Sequence, residues 1–151
     1  MHPKKNAFTM IELIFVIVII GILAAVAIPK LSATRSDAKA SLKASNIMTG
    51  AAEISSYAVA KGKTEGNFSL MSNAIAVMES SGDVVITNNN AQIAAGNSSD
   101  CVDIKITQNA TDDILSISFG NTENDSICKT VQSLINVNDY PIKLRGQSVS
   151  Y

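Results

Sequence analysis

Histidine occurs once in the 151-residue chain, at His2, and tryptophan does not occur at all. With His2 confined to the first seven residues, the remainder cannot assemble a Ser-His-Asp or Cys-His arrangement or a His-ligated metal centre. Acid pairs remain available, but no motif sets two of them in a cleft, so the expectation is a non-enzymatic chain that needs no cofactor. Charge of one sign is also lacking: 12 Lys and Arg side chains face 13 Asp and Glu. Without Lys4 and Lys5 the balance becomes acidic, which argues against nucleic acid as a primary partner. Only two cysteines are present, Cys101 and Cys128.

What the sequence does have is one long apolar run. Phe8 to Ile28 reads FTMIELIFVIVIIGILAAVAI and follows the basic leader MHPKKNA. As a helix it would span about 31 Å, roughly the hydrocarbon thickness of a bilayer. A single acid, Glu12, interrupts it. A carboxylate in such a stretch costs about 2.5–3.5 kcal/mol on insertion scales, so it calls for a partner. Snorkelling to the membrane edge is the bland reading. The leader is not an ordinary secretory signal, because the small residue Ala7 precedes the apolar run instead of following it.

Helical patterning continues beyond Pro29, with Leu31, Ala38, Leu42, Ile47, Ala51, Ile54 and Ala58 forming an apolar stripe and Arg35, Lys39 and Lys43 a second face. The helix is expected over Thr9 to Ala60, with Gly62 as its stop. Gly21 and Pro29 weaken its first part; for Pro29 the bland reading is the ordinary end of a membrane span. A short second helix is expected over Phe68 to Met78 and a strand over Asp83 to Thr87. A polar loop should run from Asn88 to Asp100. Alternation over Cys101 to Thr107 and Ile114 to Phe119 predicts two strands joined by a hairpin loop. Ser126 is placed to cap a helix whose apolar face is Ile127, Val131, Leu134 and Ile135. A last strand covers Ile142 to Leu144. The domain pattern is thus 1–7 leader, 8–28 transmembrane helix, 29–60 amphipathic continuation, and 61–151 C-terminal globular domain.

The segment Lys4-Lys5-Asn6-Ala7-Phe8-Thr9-Met10-Ile11-Glu12-Leu13 resembles the processing signal of type IV pilins and pseudopilins, and the following residues through Gly21 and Pro29 resemble that family's N-terminal helix. The resemblance covers roughly residues 4–45. Those proteins usually carry Gly before the cut; Ala7 is small enough for the same protease subsite. The resemblance implies an α+β fold, with a long N-terminal helix packed on a small antiparallel sheet. It implies cleavage between Ala7 and Phe8 by a prepilin peptidase, followed by N-methylation of Phe8. It implies a single-pass inner-membrane protein, N-terminus cytoplasmic and C-terminal domain periplasmic, that passes into a helical filament in the periplasm or at the cell surface. Partners would be further copies of the chain, an inner-membrane assembly platform and minor pilins. Glu12 would neutralise the terminal amine of a neighbouring subunit and set axial register. Gly21 and Pro29 would allow a local break during transfer from membrane to filament. The competing expectation is a non-polymerising, single-span anchored binding domain.

Outside the membrane segment, Cys101 and Cys128 are expected to pair in an oxidising compartment, closing a loop worth roughly 3.5 kcal/mol in the chain-entropy model; two separate buried thiols are the alternative. Asp112-Asp113 reads as a hydrated turn, with calcium binding as the sharper reading drawn from some pseudopilins. Glu65-Gly66-Asn67-Phe68-Ser69 matches the bacterial acid-x-Asn-x-Ser glycosylation pattern at Asn67.

Overall fold

A computed structural model describes residues 8–109, 112–122 and 124–145. The chain divides into two compact units, Met1–Ser36 and Asp37–Tyr151. One helix, α1 (Met10–Lys61, 52 residues), contributes to both. It is followed by a 3-10 turn (Phe68–Leu70), α2 (Asn73–Ser80), β1 (Val84–Thr87), β2 (Asn90–Ala95), β3 (Ser98–Gln108), β4 (Asp113–Phe119), α3 (Ser126–Leu134), a second 3-10 turn (Val137–Asp139) and β5 (Ile142–Lys143). This is the α+β layout that the resemblance implied. The first unit holds the apolar part of α1, and none of its membrane-length apolar window is buried.

The second unit is built on an antiparallel meander in the order β1-β2-β3-β4-β5. Its rows are set by side-chain alternation. Ala91 pairs with Ile104 and Ile104 with Ile117, while Ile93 pairs with Val102 and Val102 with Phe119. Such cross-strand apolar neighbours fix register, because a one-residue slip would turn the whole set to solvent. Except for Phe119, which is exposed, they join Ala40, Ala44, Ile47, Ala51, Ile54 and Ala58 of α1 in one core. Most of these helical residues are small, so α1 lies close to its neighbours. At Gly50 the approach is tightest: a Cβ there would stand 2.8 Å from Ile75 Cδ1. Gly62, at φ +67°, ends α1 in the left-handed conformation, with its N–H on the Ala58 carbonyl at 2.8 Å.

Several expectations need correction. The buried stripe of α1 does not pass through Ala38 and Leu42, which are exposed, but through Ala40 and Ala44. Ile47 fixes the stripe, and a helix returns to the same face three to four residues back, not five. Leu31 lies in the first unit and is exposed. The segment read as a second helix begins as a 3-10 turn, and α2 starts only at Asn73, capped by Ser72, whose hydroxyl accepts the Ile75 N–H. Leu70 and Val77 point to solvent, while Phe68, Met71, Ile75 and Met78 are buried. The polar loop expected over Asn88 to Asp100 contains β2 and the start of β3. Its buried positions, Ala91, Ile93 and Ala95, are mostly alanine, and Asn90 and Gln92 occupy the other face, so neither β-propensity nor bulk marked it as a strand. Asp125, not Ser126, caps α3, and Leu134 is exposed.

Candidate functional site

The sequence concentrates its functional signals at the start of α1. Ala7 lies outside the described residues, and Phe8, the first of them, is 82% exposed. Thr9 and Glu12 form a capping box. The Thr9 N–H and hydroxyl both donate to Glu12 Oε2, at 2.8 and 2.6 Å, and the Glu12 N–H donates to Thr9 Oγ1 at 3.3 Å. This arrangement satisfies backbone donors that the first helical turn leaves without partners. The spacing Thr-x-x-Glu announces it, although the sequence reading took Glu12 only as a charge seeking a cation. Glu12 Oε1 has no protein partner among the described residues. Local hydrogen bonds therefore hold the carboxylate in place without neutralising it, and in an apolar environment an anion satisfied on one side still requires a positive charge.

Beyond this cap every large apolar side chain from Met10 to Leu31 is exposed, from 41% at Ile19 to 80% at Met10. A patch of that extent on a water-soluble domain would be a liability. Gly21 has open space around it, and Pro29 is accommodated inside the helix, where it removes one backbone donor. The helix is unbroken at both positions. Thr34 and Ser36 hydroxyls return hydrogen bonds to the Lys30 and Ser32 carbonyls, at 3.0 and 3.2 Å.

In the second unit, polar groups clasp the fold. Lys43 is tied into the fold: Nζ reaches Asp83 Oδ1 at 2.7 Å and the Ala94 carbonyl at 2.8 Å, so it joins α1 to the β1–β2 hairpin. Glu53 accepts from the Ser72 hydroxyl at 2.7 Å and the Ala74 N–H at 3.0 Å, acting as a second cap on α2. The Ala74 N–H and then the Ser72 hydroxyl hold its carboxyl below the usual range. Asp125 accepts from the Asn97, Ile127 and Cys128 N–H groups, which likewise lower its pKa, Asn97 contributing most. Cys101 and Cys128 are joined by a disulfide, and both are buried. It staples β3 to α3 beside the Asp125 clasp.

Asp112-Asp113 does not form the hydrated turn read from the sequence. Asp113 is 3% exposed and bonds Arg145 at 2.9 Å and the Thr64 hydroxyl at 2.7 Å, while Asp112 pairs with Lys143 at 3.4 Å. Each carboxylate is matched by a cation from the C-terminal segment. No group of three or more His, Cys, Asp or Glu side chains converges among the described residues. Asn67 stands exposed in the α1–α2 connection, its Oδ1 accepting the Ser69 N–H at 2.9 Å.

Residues 2–28 match the family model described as the prokaryotic N-terminal methylation motif. The N-terminus carries a prepilin-type signal. It is the signal of type IV pilins and pseudopilins, and it begins before the Thr9–Glu12 cap and runs through the exposed apolar stretch as far as Ile28. No curated protein and no solved structure matches the chain. The signal supports a type IV pilin-like protein of the kind that is processed as a prepilin. Together with the apolar helix it points to membrane anchoring, and to a structural more than a catalytic role.

Proposed function

We propose that this chain is a filament subunit of a type IV pilus or a type II secretion pseudopilus. A prepilin peptidase removes residues 1–7 by cutting between Ala7 and Phe8 on the cytoplasmic face. The new Phe8 amine is N-methylated, and Lys4 and Lys5 hold the leader in the cytoplasm until then, in keeping with the positive-inside tendency. Residues 8–28 anchor the subunit in the inner membrane, residues 29–60 continue the helix, and residues 61–151 complete a periplasmic domain. On extraction by the assembly platform, the subunit joins copies of itself and minor pilins in the filament.

One observation carries this reading: a membrane-length apolar surface of which nothing is buried by the chain itself, with a carboxylate four residues beyond the cleavage position. In a filament, neighbouring helices cover that surface, and the Phe8 amine of one copy neutralises Glu12 of the next. Because bilayer and filament are both apolar, the transfer between them exchanges like for like. Gly21, without a side chain, and Pro29, without an N–H, are where the helix opens most easily during that exchange.

The test is the intact mass of the membrane-extracted protein. Loss of residues 1–7 together with one added methyl group supports the proposal. Retention of Met1 with an unmodified amine contradicts it and favours a permanently anchored binding domain.

A further inference from the structure

The motif left unused by assembly is Glu65-Gly66-Asn67-Phe68-Ser69. Asn-x-Ser/Thr alone says little in a chain so rich in these residues. It occurs four times, at Asn67, Asn97, Asn109 and Asn124. Only Asn67 has an acid two residues before it; the other three have Ala95, Thr107 and Thr122 there. The structure separates them further. The Asn97 N–H is held by Asp125, and the middle residue of its motif, Ser98, is buried with its hydroxyl on the Asn121 carbonyl, which ties the backbone there into the fold, although the motif hydroxyl, Ser99, is exposed. Asn124 sits in the left-handed region at φ 61°, directly before the cap of α3. The Asn109 motif continues into Ala110 and Thr111, outside the described residues.

Asn67 is different. It lies in extended backbone, at φ −102° and ψ 113°, on the connection between α1 and α2. Phe68 is fully buried and pins that connection to the core, which leaves the Asn67 side chain on the solvent side. Its Oδ1 accepts the Ser69 N–H, and its Nδ2 has no acceptor among the described residues; the Ser69 hydroxyl donates to Glu79 at the surface, an exposed bond that a transferase would exchange for its own. The carboxamide is therefore oriented by its oxygen and presents its nitrogen outward. Glu65 is 29% exposed and is paired with Lys63 at 2.7 Å, so a competing cation can engage it at the surface.

We infer that Asn67 is the acceptor of an N-linked oligosaccharide, transferred from a polyprenyl-pyrophosphate carrier by an enzyme that reads the Glu65 carboxylate and the Ser69 hydroxyl. Asn67 Nδ2 attacks the anomeric carbon of the first sugar. The new C–N bond replaces the C–O bond to the pyrophosphate, which leaves with the electron pair. The proton lost from Nδ2 passes to a base of the transferase. The inference rests on the filament reading above, which places the domain on the periplasmic side where such carriers are used.

The experiment is mass spectrometry of the full-length protein purified from its native membranes. Intact mass reads leader removal and methylation; after reduction, fragmentation of the tryptic peptide Thr64–Lys105 locates any added sugar. The expected result is a glycan on Asn67 and none on Asn97. Asn67→Asp retains the oxygen that caps Ser69, so the fold is preserved, and it abolishes the added mass. Glu65→Gln abolishes or greatly reduces it, whereas Asn97→Asp changes only the residue mass. An unmodified Asn67 on processed, methylated protein overturns the inference and leaves the filament reading standing. A glycan on protein that retains its leader supports the inference and overturns the filament reading.

Discussion

The two halves of α1 solve opposite problems with the same backbone. From Asp37 onward the helix hides one stripe, mostly Ala with Ile47 and Ile54, and its polar residues clasp the sheet and α2. From Met10 to Ser36 it hides nothing, although its side chains are larger and far more apolar. The lesson lies in that inversion. The half with the greater hydrophobic content is the half the fold leaves uncovered, and on the proposed reading a bilayer or other copies cover it.

This contrast can be broken by matched substitutions. The largest difference is expected between Ile54→Ala and Ile17→Ala. Ile54 is fully buried, and its truncation should destabilise the domain by about 2–5 kcal/mol. Ile17 is 58% exposed, and its truncation should change domain stability by less than about 0.5 kcal/mol while weakening filament cohesion. Denaturant unfolding of the detergent-solubilised full chain reads the first effect and filament yield the second. Equal destabilisation by the two would show that the apolar half packs against its own domain.

A smaller effect sharpens the account of the domain half. Asp125→Ala removes the cap of α3 and the tie to Asn97, and should cost about 1–2 kcal/mol. Because backbone donors depress the Asp125 pKa, its contribution is present above the ordinary carboxylate range and is lost as pH falls through the lowered folded-state value. The gap between wild type and Asp125→Ala should accordingly close in acid. A thermal-unfolding series over pH checks this, and a gap constant at every pH would contradict it.

The smallest effect has the opposite sign. Asp103 is pushed up by burial and then by the neighbouring Asp100, so its charged form is disfavoured in the fold. Its stabilising contribution is present below the ordinary carboxylate pKa and lost as pH rises through the raised value. Asp103→Asn should therefore raise the unfolding midpoint slightly at pH 7, and the gain should vanish below about pH 4. A lower midpoint at pH 7 would show that the Asp103 charge is held favourably.

Strong periodicity made much of this legible in the sequence. The β3–β4 pairing follows from apolar alternation, and the 52-residue helix from a long apolar run, continued helical patterning and the Gly62 stop, even though its buried stripe lies at Ala40 and Ala44. β2 escaped because Ala91 and Ala95 are too small to signal a core face. The ties of Lys43 and Glu53 are invisible in the sequence because their partners, Asp83 and Ser72, lie 40 and 19 residues away, which no local pattern reveals. Asp113 resembled a turn residue because Arg145 and Thr64 come from distant segments. At the N-terminus the opposite held. The Thr9–Glu12 cap is local, and the Thr-x-x-Glu spacing alone signals it.

The central claim is that Glu12 is answered by a neighbour's terminal amine. Its most direct test is Glu12→Ala, with membrane fractionation and filament imaging performed on the same cells. The account predicts normal insertion, normal leader removal and no ordered filaments; filaments of normal number and morphology would contradict it.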